Sequence, residues 1–194
     1  MKFWVAICIS VVLMGTTALA KGEETMPTAE EIIKKLDLKP LPGEGGFYRE
    51  TYKSDINLPA QIFGLDTKSV RHISTAIYYL VIPESFSSLH RIKSDEIFHF
   101  YAGDPVDMIQ IDNDGNLAQI TIGPDVMNGE SPQVVVPRGN WQALKLKPGG
   151  KWALMGTTVS PGFEFEDFEL GDRNQMTQAF PQLRGHISEF TVKQ

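Results

Sequence analysis

The side chains best suited to acid–base or metal chemistry fall in two short stretches of the chain. His90 and Glu96 lie in the first, Ser85–Gly103, and Gln142 ends the second, Gly129–Gln142. Histidine exchanges a proton near neutral pH, and a carboxylate can orient it or share a bound ion with it. An amide is a weak neutral ligand. The two stretches therefore offer either a proton-transfer pair or an incomplete metal site.

A Gly-rich segment upstream supplies further binding candidates. Arg49 could clamp a phosphate or carboxylate through its planar fork of donors, or it could pair with Glu44 or Asp95. Trp141, beside the second stretch's amide, offers an aromatic face on which a sugar or base could stack. The glycines themselves do not have the spacing of a phosphate-binding loop.

The elements that must position these side chains are short β-strands. Runs rich in β-branched and aromatic residues alternate with turn residues, and Asp114-Gly115 predicts a hairpin. This spacing favours a sandwich or jelly roll over βαβ units. The predicted strands are Thr75–Ile82, Glu96–Tyr101, Val106–Ile111, Leu117–Ile122, Val134–Val136 and Lys151–Met155.

Strand alternation predicts which of the candidates face inward. If Glu96 points into a barrel, Phe98 does so too and His99 points outward. The same alternation places Ile92 inside and Arg91 outside. The segment 161–170, in which aromatic and acidic residues alternate, predicts a late strand with one packed face.

One helix is clearly signalled before the strands. Thr28 and Glu31 match a capping box, and an apolar stripe over residues 32–36 follows before the pattern stops near Asp37. We expect an N-terminal segment over residues 21–39 that contains this helix. A single domain over residues 40–194 then follows.

Residues 1–20 have the pattern of a secretory signal. Lys2 precedes a nearly unbroken apolar run, and small residues end at Ala20. The run of about twelve apolar residues is too short to span a bilayer, which needs about 20. We expect cleavage near Ala20 and export to the periplasm or the outside, with no membrane association of the mature chain.

Charge and cysteine content exclude several classes of protein. The 194 residues include 18 basic and 24 acidic side chains, and loss of the signal with Lys2 leaves 17 and 24, a formal net charge of −7. Neutralising phosphates needs a basic face, so we expect no nucleic-acid partner. Cys8, the single cysteine, lies in the signal, so the mature chain has no disulfide.

The first stretch resembles the first motif of the cupin superfamily. His90 matches the first histidine of that motif, Glu96 its carboxylate and Gly103 the closing glycine. Ile92 stands where the motif has its second histidine. The resemblance therefore places one of the two expected histidines here.

The second stretch resembles the second cupin motif. Pro137 and Gly139 match, but Gln142 stands where a histidine closes the metal site. The chain is similar in particular to the DUF985 group, or cupin 5, of cupins related to the dTDP-sugar 3,5-epimerases. The similar blocks are residues 40–52, 74–80, 90–105, 129–141 and 161–173.

This resemblance implies an all-β cupin double-stranded β-helix, or jelly roll, here with a short N-terminal helix, and a homodimer. No secure activity goes with the group. Cupins that use a metal offer it three histidines and a glutamate, and here only His90, Glu96 and Gln142 remain. We expect no cofactor, and any divalent metal would have to be held by these three side chains.

The related epimerases imply a metal-free alternative. In them a histidine removes a proton beside a keto group, a carboxylate orients it, and a tyrosine acts as the acid. His90 would be the base, and Glu96 or an acid from the run Glu164–Glu169 would orient it. The hydroxyl could come from Tyr48, Tyr79 or Tyr101.

Two classes of function remain open, with a third less supported. The first is an exported protein that binds a small polar metabolite, of the sugar or nucleotide-sugar type, in a barrel pocket. The second is a sugar isomerase or epimerase, and the third is a metal-dependent cupin enzyme with a degenerate site. The predicted pocket residues are Tyr48, Arg49, His90, Glu96, Phe98, Trp141 and Gln142.

Overall fold

A computed structural model describes residues 26–65 and 68–191. The predicted signal, residues 1–20, lies outside the described residues. The strands are β1 (Lys39–Pro40), β2 (Phe47–Lys53), β3 (Asn57–Pro59), β4 (Val70–His72), β5 (Thr75–Val81), β6 (Ser87–Arg91), β7 (Asp95–Gly103), β8 (Val106–Ile111), β9 (Leu117–Ile122), β10 (Gln133–Val136), β11 (Trp141–Leu146), β12 (Ala153–Ser160) and β13 (Glu169–Leu170). The α-helices are α1 (Ala29–Leu36), α2 (Arg173–Ala179) and α3 (Arg184–Glu189).

The strands form two large antiparallel sheets and a small hairpin. The larger sheet has the order β1-β2-β5-β12-β7-β10, and the smaller has the order β13-β6-β11-β8-β9. Strands β3 and β4 form the hairpin. Strands β8 and β9 pair over the predicted Asp114-Gly115 turn, where Gly115 has a φ of 81°. The jelly-roll prediction is confirmed.

The inner faces of the two sheets share one apolar core. Tyr79 and Met155 contribute from the larger sheet, and Met108 and Leu144 contribute from the smaller one; each is no more than 1% exposed. Inward and outward residues alternate along each strand, because successive side chains point to opposite faces. This core fills one part of the sandwich and leaves a cavity at the other.

The predicted first helix forms with its predicted cap. The Thr28 hydroxyl accepts from the Glu31 amide, and the Glu31 carboxylate accepts from the Thr28 amide. Asp37 ends the helix in the left-handed conformation. Ile32 packs with Leu80 and other residues on the outer face of the larger sheet.

Two further helices cover the outer face of the smaller sheet, and the strand-based analysis did not predict them. Helices α2 and α3 have only seven and six residues, too few for a clear period. The one available signal is Asp172, whose side chain accepts from the Gln175 amide. Ile187 and Phe190 pack there against Trp141. No helix of the described ranges is long and apolar enough to cross a bilayer.

The prediction of a late strand over residues 161–170 is wrong for most of that segment. A 3-10 turn occupies Phe165–Asp167, and only Glu169–Leu170 pairs as a strand. The turn brings the Asp167 carboxylate to the buried Arg71, a long-range partner that local alternation does not reveal.

Candidate functional site

A cavity of about 310 Å³ lies within the sandwich. Its walls come from the lead-in to β2, from β2, β5, β6, β7 and β12, and from the segment that follows β12. The lining residues are Leu41, Glu44, Tyr48, Glu50, Lys53, Thr75, Ala76, Ile77, His90, Ile92, Glu96, Thr157, Val159, Phe163, Glu164 and Phe165.

His90 is held in one orientation within the cavity wall. Its Nδ1 lies 2.7 Å from the carbonyl oxygen of Ser88, which can only accept, so Nδ1 carries a proton and donates it. The ring stacks on Phe168, with 5.3 Å between ring centroids. Its Nε2 lies 3.8 Å from Oε2 of Glu44. Nε2 is therefore the ring atom available to a ligand.

Glu44 is the carboxylate that faces the histidine ring, and sequence reasoning did not give it that role. The Ser87 hydroxyl donates to its Oε1 at 2.8 Å, which fixes the other end of the carboxylate. Next in the chain, Gly45 has a φ of 104°, and a Cβ there would lie 2.2 Å from the carbonyl oxygen of Phe86. The Gly-rich lead-in thus allows the backbone to approach β6 closely enough to deliver Glu44.

Glu96 and Gln142 form a buried pair beside the histidine. The Gln142 amide donates from Nε2 to Oε2 of Glu96 at 2.6 Å, and Gln142 pairs in register with His90 on the neighbouring strand. The amide oxygen of Gln142 has no hydrogen-bond partner in the described part of the chain, although the residue is only 1% exposed. A donor that reached this oxygen would satisfy it, although Gln142 itself is not one of the residues that line the cavity.

Burial raises the pKa of the Glu96 carboxyl above its usual range. The positive charge that His90 can carry opposes this effect, whereas the negative charge of Glu44 adds to it. Hydrogen bonds from Gln142 and Thr157 also oppose it. The balance favours a proton on Glu96 at a higher pH than for an exposed glutamate.

Tyr79 lies deeper in the same wall. Burial raises the pKa of its hydroxyl well above the usual value, and the Glu44 charge raises it further. The hydroxyl donates to the carbonyl oxygen of Gly45 at 3.0 Å. Tyr79 therefore supports the lead-in and is not a source of protons near neutral pH.

The donor set does not fit the divalent metal that cupin motifs imply. The Glu96 carboxylate faces the NH₂ group of Gln142, and an amide NH₂ group cannot bind a metal ion. The position of the second histidine in the cupin motif is occupied by the apolar Ile92. Within residues 26–65 and 68–191, no group of three or more His, Cys, Asp or Glu side chains is arranged to hold an ion.

A short segment, residues 161–168, forms one rim of the cavity and is called the strap below. Phe163 and Phe165 meet edge to face with 5.2 Å between centroids, and Glu164 pairs with Lys53 across the mouth at 3.1 Å. The strap is anchored by Asp167, whose carboxylate accepts two hydrogen bonds from the buried guanidinium of Arg71, at 2.9 and 3.0 Å.

The structure gathers some of the predicted site residues and disperses others. Tyr48, His90 and Glu96 line the cavity, and Gln142 lies directly against Glu96. As predicted from alternation, Ile92 lines the cavity. Phe98 faces inward as predicted, but it belongs to the apolar core instead of the cavity wall.

Arg49, Tyr101 and Trp141 lie outside the cavity, which corrects their predicted placement in its wall. Successive side chains of a strand point to opposite faces, and each of these three residues is next to one that points inward: Tyr48, Phe100 and Gln142. The three side chains therefore point out of the sandwich. Arg49 lies over the ring of Tyr78, and Tyr101, which is 52% exposed, contacts the same ring edge to face. Trp141 packs under the C-terminal helices with Arg91 over its ring.

His99 also lies outside the cavity, as predicted. Its Nδ1 is 3.2 Å from the side-chain nitrogen of Gln133, and its Nε2 is 3.4 Å from the Thr158 hydroxyl. Both partners lie on neighbouring strands of the larger sheet, on the outer face.

Comparison with known proteins agrees with this architecture. A profile of the cupin superfamily group DUF985 matches residues 30–171. The chain belongs to this family. A Saccharomyces cerevisiae protein described as uncharacterized is 33% identical over 132 residues, 64% of this chain and 66% of the yeast protein, so the match spans just under two thirds of that relative.

Two solved structures resemble the chain over their whole length. A hypothetical protein from Leishmania major has a TM-score of 0.78 and 33% identity, covering 86% of this chain and 100% of its own. A protein from Shewanella oneidensis has a TM-score of 0.77 and 32% identity, covering 87% and 100%. The predicted family is confirmed.

Proposed function

We propose that this cupin binds a small polyhydroxylated metabolite of the sugar type in the cavity between its sheets. The observation that carries the proposal is the pair of Glu96 and Gln142: Glu96 lines the cavity, and behind it the amide oxygen of Gln142 is buried without a hydrogen-bond partner in the described part of the chain. An unsatisfied buried polar atom costs about 1–3 kcal/mol. A ligand hydroxyl that donates to this oxygen would remove that cost.

The rest of the lining suits a ligand with both polar and apolar faces. Tyr48, Phe163 and Phe165 offer aromatic surface, while Glu44 and His90 offer acceptors. A volume of about 310 Å³ is at the lower end for small-molecule pockets, which span about 300–1,000 Å³. Sugar rings stack on aromatic faces and present hydroxyls at their edges.

The lining supports a free sugar over a nucleotide sugar. A diphosphate would meet the carboxylates of Glu44, Glu50 and Glu96, while Lys53 is already paired with Glu164. Arg49, the predicted phosphate clamp, lies on the outer face over Tyr78.

A thermal-shift screen of monosaccharides would test the proposal. A ligand at a hundredfold excess over its dissociation constant should stabilise the protein by about 2.7 kcal/mol. That shift should disappear in Gln142→Leu and persist in Gln119→Leu, a matched change at an exposed position of β9. If no sugar shifts the transition, or if Gln142→Leu keeps the shift in full, the proposal is wrong.

One observation favours an isomerase as a second candidate. The Ser88 carbonyl holds His90 with Nε2 facing the cavity, and in the neutral ring this atom has the lone pair that a general base needs. Tyr48, on another wall of the cavity, could act as the acid. Incubation with keto sugars in deuterated water would then show exchange at the carbon beside the carbonyl. Absence of exchange, or equal exchange by His90→Ala, would eliminate this candidate.

A further inference from the structure

We propose that the metabolite carries a positively charged amino group, as an amino sugar does. This inference rests on the proposed function and adds the charge of the ligand to it. It follows from the charges, the acceptors and the aromatic faces that meet in one cavity.

The lining of the cavity is strongly acidic. Four carboxylates line it, against one lysine and one histidine, and the lysine is paired at the mouth with Glu164. Even with His90 protonated and Glu96 neutral, the carboxylates outnumber the cations. A cavity of this sign concentrates cations and repels anions.

The inner wall presents acceptors. The Ser87 hydroxyl satisfies one oxygen of Glu44, and the other lies 3.8 Å from His90 Nε2, too far for a hydrogen bond. His90 uses its Nδ1 proton on Ser88, so in the neutral form of the ring Nε2 offers a lone pair. Behind Glu96, the amide oxygen of Gln142 has no hydrogen-bond partner among residues 26–65 and 68–191. A primary ammonium brings three donors and a positive charge to such a wall.

Aromatic faces line the same cavity. Tyr48, Phe163 and Phe165 are the aromatic residues in its wall, and two of them are already packed edge to face. A cation over an aromatic face gains electrostatic attraction that an uncharged group of the same shape does not. Carboxylates alone would suit a hydrated metal ion, whereas carboxylates together with aromatic rings suit an organic cation.

Isothermal titration with matched pairs of sugars tests the inference. The pairs are glucosamine with glucose, galactosamine with galactose, and mannosamine with mannose, with glucose 6-phosphate as an anionic probe. We expect the amine of at least one pair to bind at least tenfold tighter than its neutral partner, about 1.4 kcal/mol. Glucose 6-phosphate should bind more weakly than glucose.

The variant Glu44→Gln should reduce the preference for the amine, measured as the logarithm of the ratio of the two dissociation constants, by at least half. Glu169→Gln, an exposed carboxylate outside the cavity, should leave the preference unchanged. Added salt should also lower the preference.

The outcomes separate the inference from the proposed function. If neutral sugars bind as well as their amines, or if the phosphate binds best, the cation inference is overturned while sugar binding stands. If none of the seven probes binds at millimolar concentration, both are overturned. An amine preference that Glu44→Gln does not change also overturns the assignment to this cavity.

Discussion

At the level of single side chains, His90 and Glu96 are held differently. His90 is fixed by a backbone carbonyl and a stacked ring, both independent of pH. The contribution of Glu96 to stability depends on its protonation state, because burial raises the pKa of its carboxyl. A group whose pKa is higher in the folded than in the unfolded protein stabilises the fold at low pH and loses that contribution as the pH rises.

Replacing Glu96 with glutamine should therefore change how stability depends on pH. In the unfolded chain the glutamate has a pKa of about 4.3. Above that pH the unfolded chain gives up this proton while the folded chain retains it, so the wild type should lose stability until the pH passes the raised pKa of the folded carboxyl. Glu96→Gln keeps an acceptor for the Gln142 amide and carries no charge. We expect it to match the wild type below about pH 4 and to exceed it at pH 7.

Urea unfolding of both proteins between pH 4 and pH 8 measures this difference. Asp107→Asn, a change of the same kind at a position that does not line the cavity, is the control and should show no such divergence. A Glu96→Gln variant that is less stable than the wild type at pH 7 and equal to it at pH 4 would show that the ionised Glu96 stabilises the fold, the opposite of this prediction.

At the level of elements, the strap depends on one buried ion pair. Arg71 is 0% exposed and joins β4 to the strap through two hydrogen bonds to Asp167. Those bonds raise the pKa of the guanidinium further, so it stays charged. Removal of one partner of a buried pair leaves the other charge without compensation.

The variant Arg71→Met should consequently lose about 3–5 kcal/mol of stability, because the buried Asp167 carboxylate then keeps only the exposed Lys93 ammonium, 3.8 Å away, as a partner. Lys53→Met, which breaks the exposed pair with Glu164, should cost less than about 1 kcal/mol. Chemical denaturation measures both. Adding Asp167→Leu to Arg71→Met should restore much of the lost stability. Equal losses of stability for Arg71→Met and Lys53→Met would refute the claim that the buried pair anchors the strap.

The sequence predicts the long strands well and the short or tertiary-determined elements poorly. Alternation and the Asp114-Gly115 turn give β8 and β9 with their observed bounds, because local chemistry decides both. Helix α3 has six residues and contains Gly185, so packing decides it. The conformation of the strap depends on the bond between Asp167 and Arg71, which is almost a hundred residues away in the chain, and no local sequence pattern shows such a contact.

The same division applies to the site. His90 and Glu96 can be found from their motif, and alternation correctly separates Ile92 from its neighbours. Glu44 could not be identified as the partner of the histidine ring, because its position depends on the close approach of the lead-in to β6. The outward placement of Arg49 follows from inward Tyr48, a register that the sequence leaves open.

At the level of the whole molecule, the outer face of the larger sheet is partly uncovered. Helix α1 covers one end, while Tyr101 and Val135 are each 52% exposed on neighbouring strands at the other. The resemblance to other cupins implies a homodimer, and we propose that a second copy covers this surface. An isologous interface would bring each patch against its own copy.

Light scattering after size exclusion should then give the mass of a dimer. A double variant, Tyr101→Arg with Val135→Arg, should shift the protein to monomers, because like charges would face each other across the two-fold axis. Ile62→Arg, at an apolar position in a 3-10 helix that is 65% exposed, should leave the dimer intact. A monomeric wild type would refute the proposal.

Export of the protein is a second prediction at this level. Residues 1–20 should be removed when the full chain is expressed with a secretion pathway, and the mature chain should begin near Lys21. Mass spectrometry of the purified protein measures its N-terminus. A mature chain that retains Met1–Ala20 would show that the segment is not a cleaved signal.

The way the strap is fastened has a kinetic consequence. Both its ends are tied to the hairpin region, by the Gly162 amide to the His72 carbonyl and by Asp167 to Arg71, while its tip is held by the exposed pair of Lys53 and Glu164. We expect a ligand to enter and leave when the tip moves away, with the sheets undisturbed. Residence time should then be set by a weak ion pair that salt loosens, so dissociation should become faster as ionic strength rises.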